Sequence, residues 1–317
     1  MHTTPDEAPE ASGDDAPDIS GYSLANMAEI LFPCMEAAST SSVLEVGAYR
    51  GDLTRVLLEW AAGREVSVTA IDPEPPEELL ALTSEHPELE LVREPSHDAL
   101  PRLPLADTVI IDGDHNYYTL SEELRLIGEK AGDGELPLLM FHDVCWPHAR
   151  RDTYYEPDRI PEEHRQPLAK DAAIVPGNPG TTQIGLHYPW AAAREGGPRN
   201  GVLTAIEDFV AGRDGLRLAI VPAFFGFGIL WEREAPWAGA VAEIVDPWDR
   251  NPILERLEAN RVALMIDYVM MEQQQALLMA FLNSRAFSWA ERLSRLRQGG
   301  EPVFSRKQVK RVLGLYE

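Results

Sequence analysis

Cysteine is almost missing from this sequence: Cys34 and Cys145 are the only two in 317 residues. They are too few and too isolated for a disulfide framework or a cysteine-based zinc site, so a reducing cytoplasm is the expected setting. Positive charge is scarce as well. Lys and Arg total 28 against 52 Asp and Glu, a formal net charge of −24, which repels a phosphate backbone or an anionic bilayer and argues against nucleic acid and membrane partners. Long apolar runs are also lacking. The most apolar stretch, Val262 to Leu282, is broken by Asp267, Glu272 and three glutamines. No basic region leads into an apolar core at the N-terminus, so neither a membrane span nor a secretion signal is expected.

What is there suits a folded chain: 44% hydrophobic and 25% charged residues, with 25 prolines that call for substantial loops. The length fits one large domain with additions or two modest ones. Residues 1–18 hold six acids, three prolines and no Lys or Arg, and are expected to form a disordered acidic tail. In 19–42, Leu24, Met27, Ile30, Leu31 and Met35 recur at helical spacing and predict an N-terminal helix, broken by Ser39 to Ser42.

Residues 43–235 alternate short β-rich runs with helical patterns. Strands are predicted at Val43–Val46, Val66–Ile71, Leu89–Val92, Thr108–Ile111 and Leu136–Phe141, and helices at Leu53–Ala61, Glu77–Ser84 and Tyr117–Lys130. After an aromatic-rich stretch without periodicity come a helix, Val202–Val210, and two runs, Leu216–Val221 and Phe227–Trp231, close enough for a hairpin. The predicted class is α/β: a doubly wound, Rossmann-like seven-stranded sheet with an antiparallel last strand, an N-terminal helix and a C-terminal helical extension over 249–317. In that extension Ile253, Leu254, Leu257, Val262, Met265, Ile266, Val269 and Met270 give one or two long helices a broad apolar face, for which a homodimer is the expected partner. The closing segment, 298–317, is basic and marginally helical.

The first strand runs into Glu45-Val-Gly47-Ala-Tyr49-Arg-Gly51-Asp52 and then a helix. A glycine turn there lets backbone approach a ligand and aims a helix N-terminus at it. A dinucleotide fingerprint would need a glycine where Tyr49 stands, and the acid at Glu45 disfavours a pyrophosphate; both oppose an NAD-dependent oxidoreductase. A carboxylate suits a cationic ligand, and S-adenosylmethionine carries an ammonium and a sulfonium. The second strand ends in Asp72-Pro73, where an acid can take ribose hydroxyls of either cofactor.

The fourth strand ends in Asp112-Gly113-Asp114-His115 and the fifth in His142-Asp143. Neighbouring strand ends of a doubly wound sheet open on one crevice, so these acids converge and need a shared cation or proton. Either a hard divalent ion, Mg²⁺, is held by Asp112 or Asp114 with Asp143 and chelates the acceptor's hydroxyls, or no metal binds and His115 or His142 removes a hydroxyl proton. Taken singly, Asp112 and Asp114 could instead cap the following helix. Between 144 and 200, Trp146, His148, Arg150, Arg151, Tyr154, Tyr155, His164, His187, Tyr188 and Trp190 make an aromatic, hydrogen-bonding segment expected to be an acceptor loop or lid.

Four segments, Val43 to Gly51, Ala70 to Pro73, Val109 to His115 and Phe141 to Asp143, stand in the order and spacing of a known family. Over roughly 40–232 the chain resembles the class I S-adenosylmethionine-dependent methyltransferases, within them the small-molecule O-methyltransferase branch called methyltransferase family 24. The resemblance implies that Glu45 and the backbone at Gly47 hold the methionine moiety, that Asp72 binds the ribose, and that the segment Pro95 to Asp98 lies near the adenine. The expected cofactor contacts are therefore Glu45, Gly47, Tyr49, Gly51, Asp72, Pro73, Ser96, His97, Asp112 and Gly113. The metal contacts it implies are Asp114, His142 and Asp143, and the catalytic groups are His115, His142 and Asp114. Tyr49 departs from the second glycine of many class I enzymes. The expected activity is methyl transfer from S-adenosylmethionine to a hydroxyl of a small molecule, a sugar or glycosylated natural product, with Mg²⁺. A metal-independent N- or O-methyltransferase with a histidine base, an NAD-dependent oxidoreductase, and a non-catalytic cofactor-binding protein are the alternatives.

Overall fold

The computed structural model describes residues 21–132 and 134–298, together with Ser305 and Val309. The acidic tail expected over 1–18, the first two residues of the expected N-terminal helix, and nearly all of the basic segment 298–317 lie outside the described residues.

The strands are β1 (Ser42–Val46), β2 (Ser67–Ile71), β3 (Leu89–Val92), β4 (Thr108–Ile111), β5 (Leu138–Phe141), β6 (Leu168–Ile174), β7 (Leu186–Ala192), β8 (Leu216–Val221) and β9 (Phe227–Glu232). The helices are α1 (Ala28–Ala37), α2 (Asp52–Ala61), α3 (Glu77–Glu85), α4 (Ser96–Ala99), α5 (Tyr117–Ala131), α6 (Val202–Val210), α7 (Ala238–Val245), α8 (Pro252–Asn283) and α9 (Arg285–Gln298). A seven-stranded sheet runs in the order β3-β2-β1-β4-β5-β9-β8. Its strands pair in parallel from β3 to β5, and β9 lies antiparallel to both β5 and β8. This is a doubly wound, Rossmann-like sheet, with the antiparallel strand that the short Pro222–Gly226 connection predicts.

Alternation along the strands divides the core between the two faces. Val43, Val68, Ile110 and Met140 pack with α1, α2, α3 and α7 through Leu31, Leu57, Leu79, Leu82 and Val241. Leu44, Val46, Val109, Ile111, Leu139 and Phe141 pack on the other side with α5 and α6 through Leu120, Leu124, Ile127, Val202 and Ile206. Strands covered on both faces must be apolar throughout, which is why these runs are legible in sequence. Helix α5 begins where the Asn116 side chain accepts from Thr119 N at 2.8 Å, an N-cap of about 1 kcal/mol.

Three sequence expectations change. The N-terminal helix is a 3₁₀ turn, Leu24–Met27, followed by α1, which ends before Ser39 takes a left-handed φ of 56°. The segment 144–200 contains the antiparallel hairpin β6–β7. Its alanines and Pro189 weaken the β signal, since strand propensity is read from β-branched and aromatic side chains. Helix α7 lies where no element was expected.

The chain divides into two units, Met1–Met265 and Ile266–Glu317. The first contains the sheet, the hairpin and the start of α8; in the second, Leu277, Phe281, Trp289, Leu293 and Leu296 are exposed. No helix among the described residues is long and apolar enough to cross a membrane.

Candidate active site

Beyond β1 and β4 the chain turns to opposite sides of the sheet, and at such a switch point the strand ends leave a crevice. A cavity of about 370 Å³ occupies it, lined among others by Glu45, Gly47, Tyr49, Asp52, Asp112, His115, His142 and Asp143. Gly47 takes φ 86°, and a Cβ there would overlap the Asp112 carbonyl oxygen and Gly113 Cα. The glycine thus lets the β1 and β4 loops touch. Tyr49 stands in the same left-handed region at φ 46°, with its side chain half-exposed at the cavity. It replaces a glycine while keeping a glycine's backbone conformation. Gly51, φ 82°, is the N-cap of α2.

Glu45 is buried and accepts from Thr54 Oγ1 at 2.7 Å. Burial, opposed by that hydrogen bond, pushes its carboxyl up to about 8. Asp72 accepts from Tyr49 N at 2.8 Å and Glu74 N at 2.9 Å, so it ties the glycine loop to the end of β2. Burial raises its carboxyl despite those donors.

The second cluster joins the ends of β4 and β5. His142 Nε2 lies 2.8 Å from the Phe224 carbonyl oxygen, and a carbonyl only accepts, so Nε2 carries a proton. Its Nδ1 then faces Asp112 Oδ1 at 3.1 Å and Asp143 Oδ2 at 3.8 Å. His115 Nε2 lies 2.9 Å from Asp143 Oδ2 and 3.7 Å from Asp112 Oδ1. That nitrogen is buried, yet no hydrogen bond of good geometry satisfies it. Asp143 itself sits at φ 58°, a conformation rare outside glycine and typical of functional sites. Burial opposes charging of both imidazoles, but Asp112 and Asp143 outweigh it: His142 is pushed up to about 9 and His115 is held well above its usual value. Burial works against the Asp143 charge too, and the neighbouring His142 and His115 hold its carboxyl well below the usual range.

His148, from the segment after β5, stacks on His115 with ring centroids 4.3 Å apart. Its Nδ1 lies 3.2 Å from Thr153 Oγ1, and burial pulls it down to about 3. Tyr155, Tyr188 and Pro189 complete this wall, with Tyr22 and Phe225, stacked at 5.3 Å, opposite in sequence but in the same cavity.

Not every expected residue reaches the cavity. Asp114 stands apart from the expected place: its Oδ2 accepts from Thr119 Oγ1 at 2.9 Å and from the Asn116 amide, its Oδ1 is buried without a hydrogen-bond partner, and it does not line the cavity. It fastens the start of α5, because its backbone follows Gly113 away from the strand end, and Asp112 takes the place beside Asp143. Ser96 Oγ donates to Glu123 Oε1 at 2.5 Å and His97 Nε2 meets Thr119 O at 3.0 Å, so both face α5. Asp72, Pro73, Gly113 and Gly51 are also absent from the cavity wall, Asp72 and Gly51 acting through the backbone turn. Missing from the sequence reading were His148 as a neighbour of the acids, and Thr153, Tyr22, Ser23 and Phe225. Only the aromatic density of 144–200 pointed to any of them.

Residues 44–144 match the model of methyltransferase family 24, described as a methyltransferase domain. No curated protein matches the sequence significantly. Among solved structures, an SAH-bound methyltransferase of Podospora anserina is 14% identical over 69% of this chain and 83% of its own, with a TM-score of 0.43. Cofactor-bound Rv0187 of MTB is 16% identical over 70% and 84%, with a TM-score of 0.38. Human N-acetylserotonin methyltransferase in complex with SAM is 13% identical over 65% and 51%, with a TM-score of 0.37. Over residues 44–144 the chain is thus similar to the methyltransferase domain of family 24.

Proposed function

We propose that this methyltransferase acts on a hydroxyl group of a small molecule and that a divalent ion, Mg²⁺, assists it. The observation carrying this reading is the donor set at the ends of β4 and β5. One oxygen each from Asp112 and Asp143 and one ring nitrogen of His142 lie within 4.8 Å of one another. The other nitrogen of His142 is committed to the Phe224 carbonyl, as metal-binding imidazoles usually are to an outer acceptor. The orphaned, buried His115 Nε2 beside Asp143 marks the same point as under-satisfied. Two carboxylates and an imidazole fit a hard cation, with Asp112, His142 and Asp143 as the holding residues. When bound, the ion supplies a Lewis acid that lowers the pKa of an acceptor hydroxyl.

The chain's own groups do the rest. S-adenosylmethionine brings an activated methyl group, and its ammonium would draw the Glu45 carboxyl, otherwise neutral through burial, into its charged form while the Gly47 turn lets backbone approach. Asp72, which holds the Tyr49 backbone, would take the ribose hydroxyls. Methyl transfer is an in-line displacement, so the protein's task is to align the acceptor oxygen and receive its proton. His115 faces the cavity beside Asp143; a cation held at Asp112 and Asp143 would offset the charges that keep its ring protonated, and the neutral ring would then be placed to receive that proton. Tyr49, Tyr155, Tyr188 and Pro189 form amphipathic walls that suit a sugar or a glycosylated natural product. The two unpaired thiols, Cys34 and Cys145, suit a reducing cytoplasm. A second copy of the chain is the partner proposed for the exposed Leu277, Phe281, Trp289, Leu293 and Leu296.

The test is methyl transfer to a panel of glycosylated and polyhydroxylated acceptors with Mg²⁺ or with EDTA, in the wild type and Asp143→Ala. Turnover lost with chelator and in the variant, with S-adenosylmethionine still binding, is the expected result. Turnover on an amine acceptor that ignores chelator would refute the oxygen and metal reading together.

A further inference from the structure

A residue far outside the matched domain touches the turn that His142 meets. Glu258, on α8, is a buried carboxylate whose Oε1 accepts from Phe225 N at 2.8 Å and whose Oε2 accepts from Phe224 N at 3.1 Å. Arg261, one turn on, holds it with Nε to Oε2 at 2.8 Å and a second nitrogen to Oε1 at 2.7 Å. Phe224 and Phe225 both take left-handed backbone, φ 51° and 65°, which bulky side chains rarely adopt. Something must hold two such residues in succession, and the Glu258 carboxylate takes both of their N–H groups.

The consequence lies on the other side of one peptide plane. The Phe225 N–H and the Phe224 carbonyl belong to the same peptide unit and point in opposite directions. Glu258 therefore grips one end of the unit while His142 Nε2 donates to the other, 2.8 Å away. Polarised from both sides, the two hydrogen bonds strengthen each other. The same turn is pinned to the β5 loop, where Cys145 N donates to Phe225 O at 2.7 Å.

We propose that Glu258 is a positioning residue for methyl transfer: by fixing the Phe224–Phe225 peptide it holds His142 with Nδ1 toward Asp112 and Asp143. This rests on the reading of His142 as part of the reaction site. The link makes a helix beyond the sheet part of the machinery, although the family match ends at residue 144.

The experiment compares wild type, Glu258→Ala and Glu258→Gln. Its first readout is the nuclear magnetic resonance signal of the His142 Hε2 proton, which should be shifted downfield and protected from solvent exchange in the wild type. In Glu258→Ala the peptide loses its hold at the N–H end, and the protection should fall at least about tenfold, with kcat down about tenfold to a hundredfold and S-adenosylmethionine affinity unchanged. Glu258→Gln keeps one acceptor oxygen and should restore part of both. If Glu258→Ala does not fold, the glutamine variant decides alone, a partial loss of protection being expected. A wild-type Hε2 signal in whichever variants fold overturns the proposal. A His142 signal that responds to Glu258 in a protein that methylates no hydroxyl supports the brace and overturns only the functional reading.

Discussion

Replacing Gly47 by alanine probes the contact on which the crevice is built. At φ 86° an L-residue carries left-handed strain, about 1–2 kcal/mol. The added methyl would also stand 2.6 Å from the Asp112 carbonyl carbon, and the obstacle is backbone, which cannot rotate aside as a side-chain end can. Forcing such a group into a packed site adds about 1–3 kcal/mol. Gly63 supplies the control, because it has φ 74° and nothing within 4 Å of the position a Cβ would take. There only the strain remains, partly offset by about 0.4–1 kcal/mol from the stiffer unfolded chain. The same offset applies at Gly47, so at about 2–4 °C per kcal/mol for a unit of this size Gly47→Ala should lower Tm by roughly 2–18 °C and Gly63→Ala by no more than roughly 6 °C. Differential scanning calorimetry measures both. Titration with S-adenosylmethionine should show weakened binding only for the first, since the Asp112 loop must move. Equal shifts in Tm with unchanged binding in both variants would refute the argument that the two loops touch through this glycine.

Asp112 and Asp114 should separate cleanly. Asp114→Ala strips the acceptor from Thr119 and Asn116 and should cost about 1–3 kcal/mol in chemical denaturation, while Mn²⁺ affinity, followed by electron paramagnetic resonance, stays at the wild-type level. Asp112→Ala should lower that affinity by more than the roughly tenfold to hundredfold expected for losing an outer partner. Burial pushes the Glu123 carboxyl from 4.5 up to about 8, so the folded chain keeps a proton that the unfolded chain releases between those values. Wild-type stability should therefore fall, relative to Glu123→Gln, as pH rises through that window, and a difference in unfolding free energy that does not grow between about pH 5 and about pH 9 would contradict it. Removing exposed apolar groups with Leu293→Glu and Leu296→Glu should shift a dimer to monomer in sedimentation velocity, and an unaltered profile would remove the self-association proposal.

The sequence alone determined the sheet. Its strands are covered on both faces, so Thr108–Ile111 and Leu138–Phe141 are almost wholly apolar and Val43–Val46 is apolar but for Glu45, and the alternation with helices leaves little choice of topology. It also determined where chemistry gathers, because Glu45, Asp112, His115, His142 and Asp143 are placed by the ends of those strands. What only the tertiary structure decided is which of several nearby acids faces the crevice. Asp112 and Asp114 are two residues apart, and whether one turns to Asp143 or to Thr119 depends on the backbone after Gly113, a matter of a single turn that composition and period do not encode. The same holds for groups arriving from far along the chain. His148, Tyr188 and Phe225 come from segments without periodicity or from loop ends, and Glu258 from a helix whose apolar period says nothing of this contact; they meet the site through long-range packing and single hydrogen bonds rather than through any local pattern.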